Sequence, residues 1–109
     1  MDHKLITTGL TIEGYKITEN LGIVRGIIVR SRSIFGNIGA AFQTLVGGNI
    51  TLYTELCERT RGDSFEVMVE HAQQLGADGI TSFRYDANDV MQGVTEILAY
   101  GTAVKLQKI

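Results

Sequence analysis

The sequence predicts an α+β fold in which one long helix packs on an antiparallel sheet. Three observations predict it. Apolar and small residues recur at helical spacing from Ile50 to Leu75. A run rich in β-branched residues occupies Tyr15–Ser31. Two alternating segments, Gly79–Asp86 and Val94–Leu106, flank a short polar stretch and so pair as an antiparallel hairpin.

In chain order, Leu5–Thr8 is expected to form a short strand closed by Gly9, with a turn at Gly14. Within Tyr15–Ser31, Ile17, Leu21, Ile23, Ile27 and Val29 fall on one side of a period-2 pattern. Val24 and Ile28 fall on the other side, and Glu19 and Arg25 interrupt the pattern. A bulge or bend at Gly22 or Gly26 accommodates this, with both faces covered near the strand's end. Ser33–Gly48 predicts a short helix carrying Ile38, Ala41, Phe42, Leu45 and Val46.

Asn49 is placed to cap the long helix, and Gly76 sits where a C′ glycine belongs. On a helical wheel Ile50, Tyr53, Cys57, Thr60, Ser64, Met68, His71 and Leu75 form a central stripe. Leu56 and Val67 flank it on one side, Phe65 and Ala72 on the other, and acidic residues dominate the opposite face. Gly62 lies on that polar face and costs about 1 kcal/mol relative to alanine. The stripe keeps its phase across Gly62, so one helix about 40 Å long is expected. Its apolar and small-polar face covers about half the wheel, wider than the ~100° that one sheet requires. One flank is therefore expected to cover the chain's own sheet and the other to meet a neighbour. In the hairpin, Ala87–Gly93 reads as the turn, with Asn88 and Asp89 at its tip.

A chain of 109 residues fits a single domain, residues 1–109. With a net charge of −2 it has no electrostatic footprint for nucleic acid and no basic run for an anionic membrane. No stretch reaches the ~20 apolar residues of a transmembrane helix. Met1-Asp2-His3-Lys4 lacks the apolar core of a signal peptide, so a cytoplasmic location is expected. Cys57 is the single cysteine, which excludes an intramolecular disulfide.

Four segments, in order and at matching spacings, resemble the YbjQ-like family of small bacterial and archaeal proteins. They are Asn20-Leu21-Gly22-Ile23-Val24-Arg25-Gly26; Val46-Gly47-Gly48 with Tyr53 and Glu55; Leu75-Gly76-Ala77-Asp78-Gly79-Ile80; and Tyr100-Gly101-Thr102-Ala103-Val104. The resemblance implies a dodecin-like subunit, assembly with itself into a ring, commonly a pentamer, and heavy-metal binding. The chain departs from the family pattern at Ile27, Asn49 and Ile34-Phe35-Gly36, where that pattern carries charged residues. If those charges form a shared site, this chain has lost much of it.

Cys57 is the candidate ligand for a transition metal, because a thiolate is a soft donor. His71 is the second candidate, but it lies about 21 Å further along the helix. A site using both must be shared between chains. The plainer roles are a small buried apolar side chain for Cys57 and a partly buried, hydrogen-bonded imidazole for His71. Gly47-Gly48-Asn49 precedes a helix N-terminus that can hold an anion weakly. Asp63, Glu66 and Glu70 make an acidic strip, and Phe83, Tyr85 and Tyr100 are aromatic candidates for stacking a flat ligand. No nucleophile–base spacing is present, which favours an oligomeric binding protein over an enzyme with a site assembled between subunits.

Overall fold

The computed structural model describes residues 1–31 and 51–109. The expected helix in Ser33–Gly48, the Asn49 cap and the Gly47-Gly48-Asn49 corner lie outside the described residues. A 3-10 turn, His3–Leu5, is followed by β1 (Tyr15–Ser31), α1 (Thr51–Gln74), β2 (Gly79–Met91) and β3 (Val94–Lys108). The fold is α+β: an antiparallel three-stranded sheet, order β1-β3-β2, with one long helix against it. β3 is central and pairs with β1 along its whole length, from Tyr15↔Lys108 to Ser31↔Val94. Among the described residues no helix is long and apolar enough to cross a membrane.

The hairpin runs further than its composition implies. Ala87↔Ile97, Asn88↔Glu96 and Asp89↔Thr95 are all paired, and the chain reverses at Gln92-Gly93 instead of Asn88-Asp89. Gly93 supplies the positive φ (79°) that a tight reversal needs. Thr95 Oγ1 donates to Asp89 Oδ1 across the strands at 3.2 Å, so a turn-forming residue is held in the ladder. The expected strand at Leu5–Thr8 is replaced by the 3-10 turn and a single parallel bridge, Ile6↔Ile80. A bulge between Thr81 and Arg84, with Ser82 at φ 56°, breaks the β2 edge there and stops a longer ladder from forming.

β1 carries two register shifts, between Ile17 and Glu19 and between Asn20 and Gly22. Gly22 takes φ 100°, and its N–H donates to Asn20 Oδ1 at 2.8 Å. The bulge therefore falls at Gly22, one of the two glycines expected to hold it. It also changes which residues face inward. Val24 and Gly26 are buried, whereas Ile23, Ile27 and Val29, expected to share a face with Leu21, are exposed. That outer face near the end of β1 is left uncovered by the described residues, whereas both faces were expected to be covered.

Gly26 serves close approach. An added Cβ there would overlap the Ser64 carbonyl oxygen and sit 2.5 Å from the Met68 nitrogen. The helix backbone thus rests on the strand backbone, and Ala72, Ala99 and Ala103 complete a small-residue seam joined by Val24, Met68, Val69 and Ile80. Thr60 and Ser64 are buried in it without loss, because their hydroxyls donate to the Leu56 and Arg61 carbonyls, both at 2.9 Å. Val69, outside the expected stripe, is buried because the core includes the N-terminal segment, with Met1 and Ile6 packed against it. The helix ends as predicted at Gly76 (φ 77°), with Gly76 N–H donating to Gln73 O and Ala77 N–H to Ala72 O, both at 3.0 Å.

Two substitutions at glycine should give opposite results. Gly26→Ala forces helix and strand apart and is expected to cost roughly 3 kcal/mol. Gly62→Ala, whose Cβ would meet nothing within 4 Å, is expected to add about 0.5–1 kcal/mol by helix propensity. Denaturant midpoints at constant m-value test both.

Candidate functional site

Around the middle of α1, Glu58, Arg61, Gly62 and Phe65 recur at i, i+3, i+4 and i+7 and therefore share one side of the helix. With Tyr85 from β2 and His3 from the N-terminal turn they line an open groove of about 370 Å³. An edge-to-face aromatic ladder supports it. His3 meets Phe65 at 5.1 Å, Phe65 meets Phe83 at 5.6 Å, and Phe83 meets Tyr85 at 4.8 Å between ring centroids. Interplanar angles of 75–82° are those that aromatic quadrupoles favour. The Arg61 guanidinium carbon lies 5.5 Å from the Tyr85 ring centroid, and the Tyr85 hydroxyl donates to the Arg61 carbonyl at 3.3 Å. Burial pushes the Tyr85 phenol above its ordinary 10.0; the Arg61 charge opposes this and the Glu58 charge adds to it.

Arg61 also borders a second groove of about 320 Å³, lined by Cys57, Thr60, Ala87, Thr95 and Ile97. Here the burial expected of Cys57 fails: the thiol is exposed. Cys57 points the same way around the helix as Ser64 and Met68, but an open groove lies beneath it where those residues meet the sheet. His71 is half-buried at the other end of α1. Its Nδ1 accepts from the Arg25 N–H of β1 at 3.3 Å. Cys57 lines the second groove, and His71 is not among the residues that line it. Among the described residues no three His, Cys, Asp or Glu side chains gather to hold a metal ion, so one chain's described donors do not make a metal centre. In the acidic strip, Asp63 is engaged by Arg30 at 3.2 Å, and Glu66 and Glu70 border a third depression, of about 510 Å³.

Phe83 and Tyr85 stand side by side as expected, but Tyr100 does not join them. It pairs with Arg84 and Arg25, while Tyr85 pairs with Ala99, so the pleat puts Tyr100 on the opposite sheet face. Arg61 and Phe65 were not among the sequence candidates. The repeat Glu58-Arg61-Gly62-Phe65 was the available signal; its partners come from residues distant in sequence.

Tyr85 sets a pH dependence. A phenol whose folded-state pKa is raised contributes stability that is fully present below pH 10 and is lost as pH rises through the folded value. The native protein should therefore lose denaturant resistance above pH 10 more steeply than Tyr85→Phe. In phenolate absorbance titrations Glu58→Gln should lower the Tyr85 pKa and Arg61→Gln should raise it.

The family model described as "Putative heavy-metal-binding" matches residues 4–107. The chain is 58% identical over 104 residues to a UPF0145 protein of Solibacter usitatus, covering 95% of this chain and 93% of that one. It is 55% identical over 106 residues to a UPF0145 protein of Chromobacterium violaceum, covering 97% and 91%. A crystal structure of a DUF74-family protein of unknown function from Pediococcus pentosaceus superposes with a TM-score of 0.59 at 19% identity, covering 94% of this chain and 96% of that one. That likeness speaks for the fold alone. The chain belongs to the YbjQ-like family, to which the four-segment pattern in its sequence pointed.

Proposed function

We propose that this chain is the subunit of a dodecin-like ring, a pentamer, that binds a metal ion or small ligand at contacts between subunits and acts in the cytoplasm as a binding protein, not an enzyme. The observation that carries the reading is the face of β1 that the described residues leave uncovered. Ile23, Ile27 and Val29 are 72%, 43% and 52% exposed along an edge strand, and Val67 and Leu75 are exposed on the helix flank. An exposed apolar face on an edge strand is a pairing and aggregation hazard unless another surface covers it. A second copy supplies such a surface, and repetition of a head-to-tail contact closes a ring. The exposed Cys57 thiol is free to meet donors from neighbouring copies, and His71 offers an imidazole elsewhere on the same helix.

Sedimentation should give a pentamer mass for the native protein, and Ile27→Glu should shift it toward the single chain. A stable native monomer would refute the ring. For the metal, equilibrium titration with zinc or copper should show saturable binding that weakens at least about tenfold, or 1.4 kcal/mol, in Cys57→Ala. No retained metal, or retention untouched by that change, removes the metal from the reading and leaves the ring standing.

A further inference from the structure

Gly62 is a glycine that its own fold does not require. It lies inside a continuous helix, where glycine is unfavourable, and it is exposed. An added Cβ would meet nothing within 4 Å, unlike Gly26, where the sheet and helix leave no space. No positive φ demands it either. What a side chain at Gly62 would enter is the groove of about 370 Å³ between Arg61, Glu58, Phe65, Tyr85 and His3.

The walls of that groove define what fits against the bare helix backbone. Phe65 and Tyr85 present aromatic surface, and a volume of this order lies within the range of small-molecule sites. The Arg61 guanidinium rests near the Tyr85 ring and forms no ion pair among the described residues, leaving its planar fork for a carboxylate. Glu58 lies close enough to raise the Tyr85 pKa and would repel a second negative group, but it accepts from a hydroxyl or amine. We propose that this groove is a binding site for a small aromatic carboxylate carrying one hydrogen-bond donor, seated over Gly62 with its carboxylate on Arg61. The site is built by one chain, so it goes beyond the ring-and-metal reading and stands or falls separately from it.

The test uses the whole protein and three probes: 4-hydroxybenzoate, 4-hydroxybenzamide and cyclohexanecarboxylate. Calorimetry and ligand-observed saturation-transfer NMR should show saturable binding of 4-hydroxybenzoate. The amide, which lacks the charge, and the cyclohexane acid, which lacks the aromatic ring and the hydroxyl, should each bind about tenfold more weakly or worse. Gly62→Leu plugs the groove and favours the helix, so it should abolish binding while raising the melting temperature. Arg61→Gln should reduce the preference for 4-hydroxybenzoate over the amide to near unity. The proposal is overturned by absent saturation in the native protein at millimolar probe, or by Gly62→Leu binding as the native protein does. A change in sedimentation on Gly62→Leu with probe binding intact also overturns it, because the glycine would then serve a contact between copies.

Discussion

The contact on which the rest of the structure depends is the seating of α1 on β1 at Gly26. A helix normally stands off a sheet by the length of its side chains. Here the Ser64 carbonyl and the Met68 amide lie where a Cβ would be. The seam around them consists of alanines, with small hydroxyls that bond to their own helix. Met68, Ile80, Val24 and Val104 are among the largest side chains buried fully or nearly so. Apolar burial in such a seam is modest for each residue, so its stability rests on dense packing of many small contacts.

That seating decides where the open space lies. α1 packs chiefly on β1, less on β3 and only slightly on β2. The volume over the β2 side is filled by the His3–Phe65–Phe83–Tyr85 ladder, and both grooves bordered by Arg61 open beside it. Toward the C-terminal end of α1, His71 Nδ1 accepts from the Arg25 N–H of β1, and Asp78 Oδ2 accepts the Leu106 N–H at 2.9 Å, fastening the start of β2 to β3. The Arg30–Asp63 pair is solvent-accessible and contributes little beyond orientation. Close packing along one side of the helix and open grooves along the other have the same cause.

The family's heavy-metal label and the chain's donors meet at one difficulty. A continuous helix separates Cys57 from His71, and the described part of a single chain gathers no third donor. The Arg61 groove needs no such convergence: cation, aromatic walls and glycine floor are already in place. The exposed face of β1 and the groove over Gly62 are formed by different residues.

Local chemistry alone determined the α+β class, the helix and its Schellman stop at Gly76, the extent of β1, the hairpin pairing and the family. Periodicity and glycine position act over a few residues and are written directly in the chain. The bulge was legible as a choice between Gly22 and Gly26. Tertiary structure decided that Gly22 bulges while Gly26 admits the helix, because only the approach of α1 separates the two roles. It also moved the hairpin tip from Asn88-Asp89 to Gln92-Gly93, since cross-strand pairing outweighs turn propensity once β3 is in register. Cys57 was legible as a thiol on the inward side of the helix, but its exposure depends on a groove formed by β2 and β3. Arg61, Gly62 and Phe65 stood at helical spacing in the sequence. Only the fold brings them Tyr85 and His3, because contacts between residues far apart in the chain are set by packing and not by local pattern.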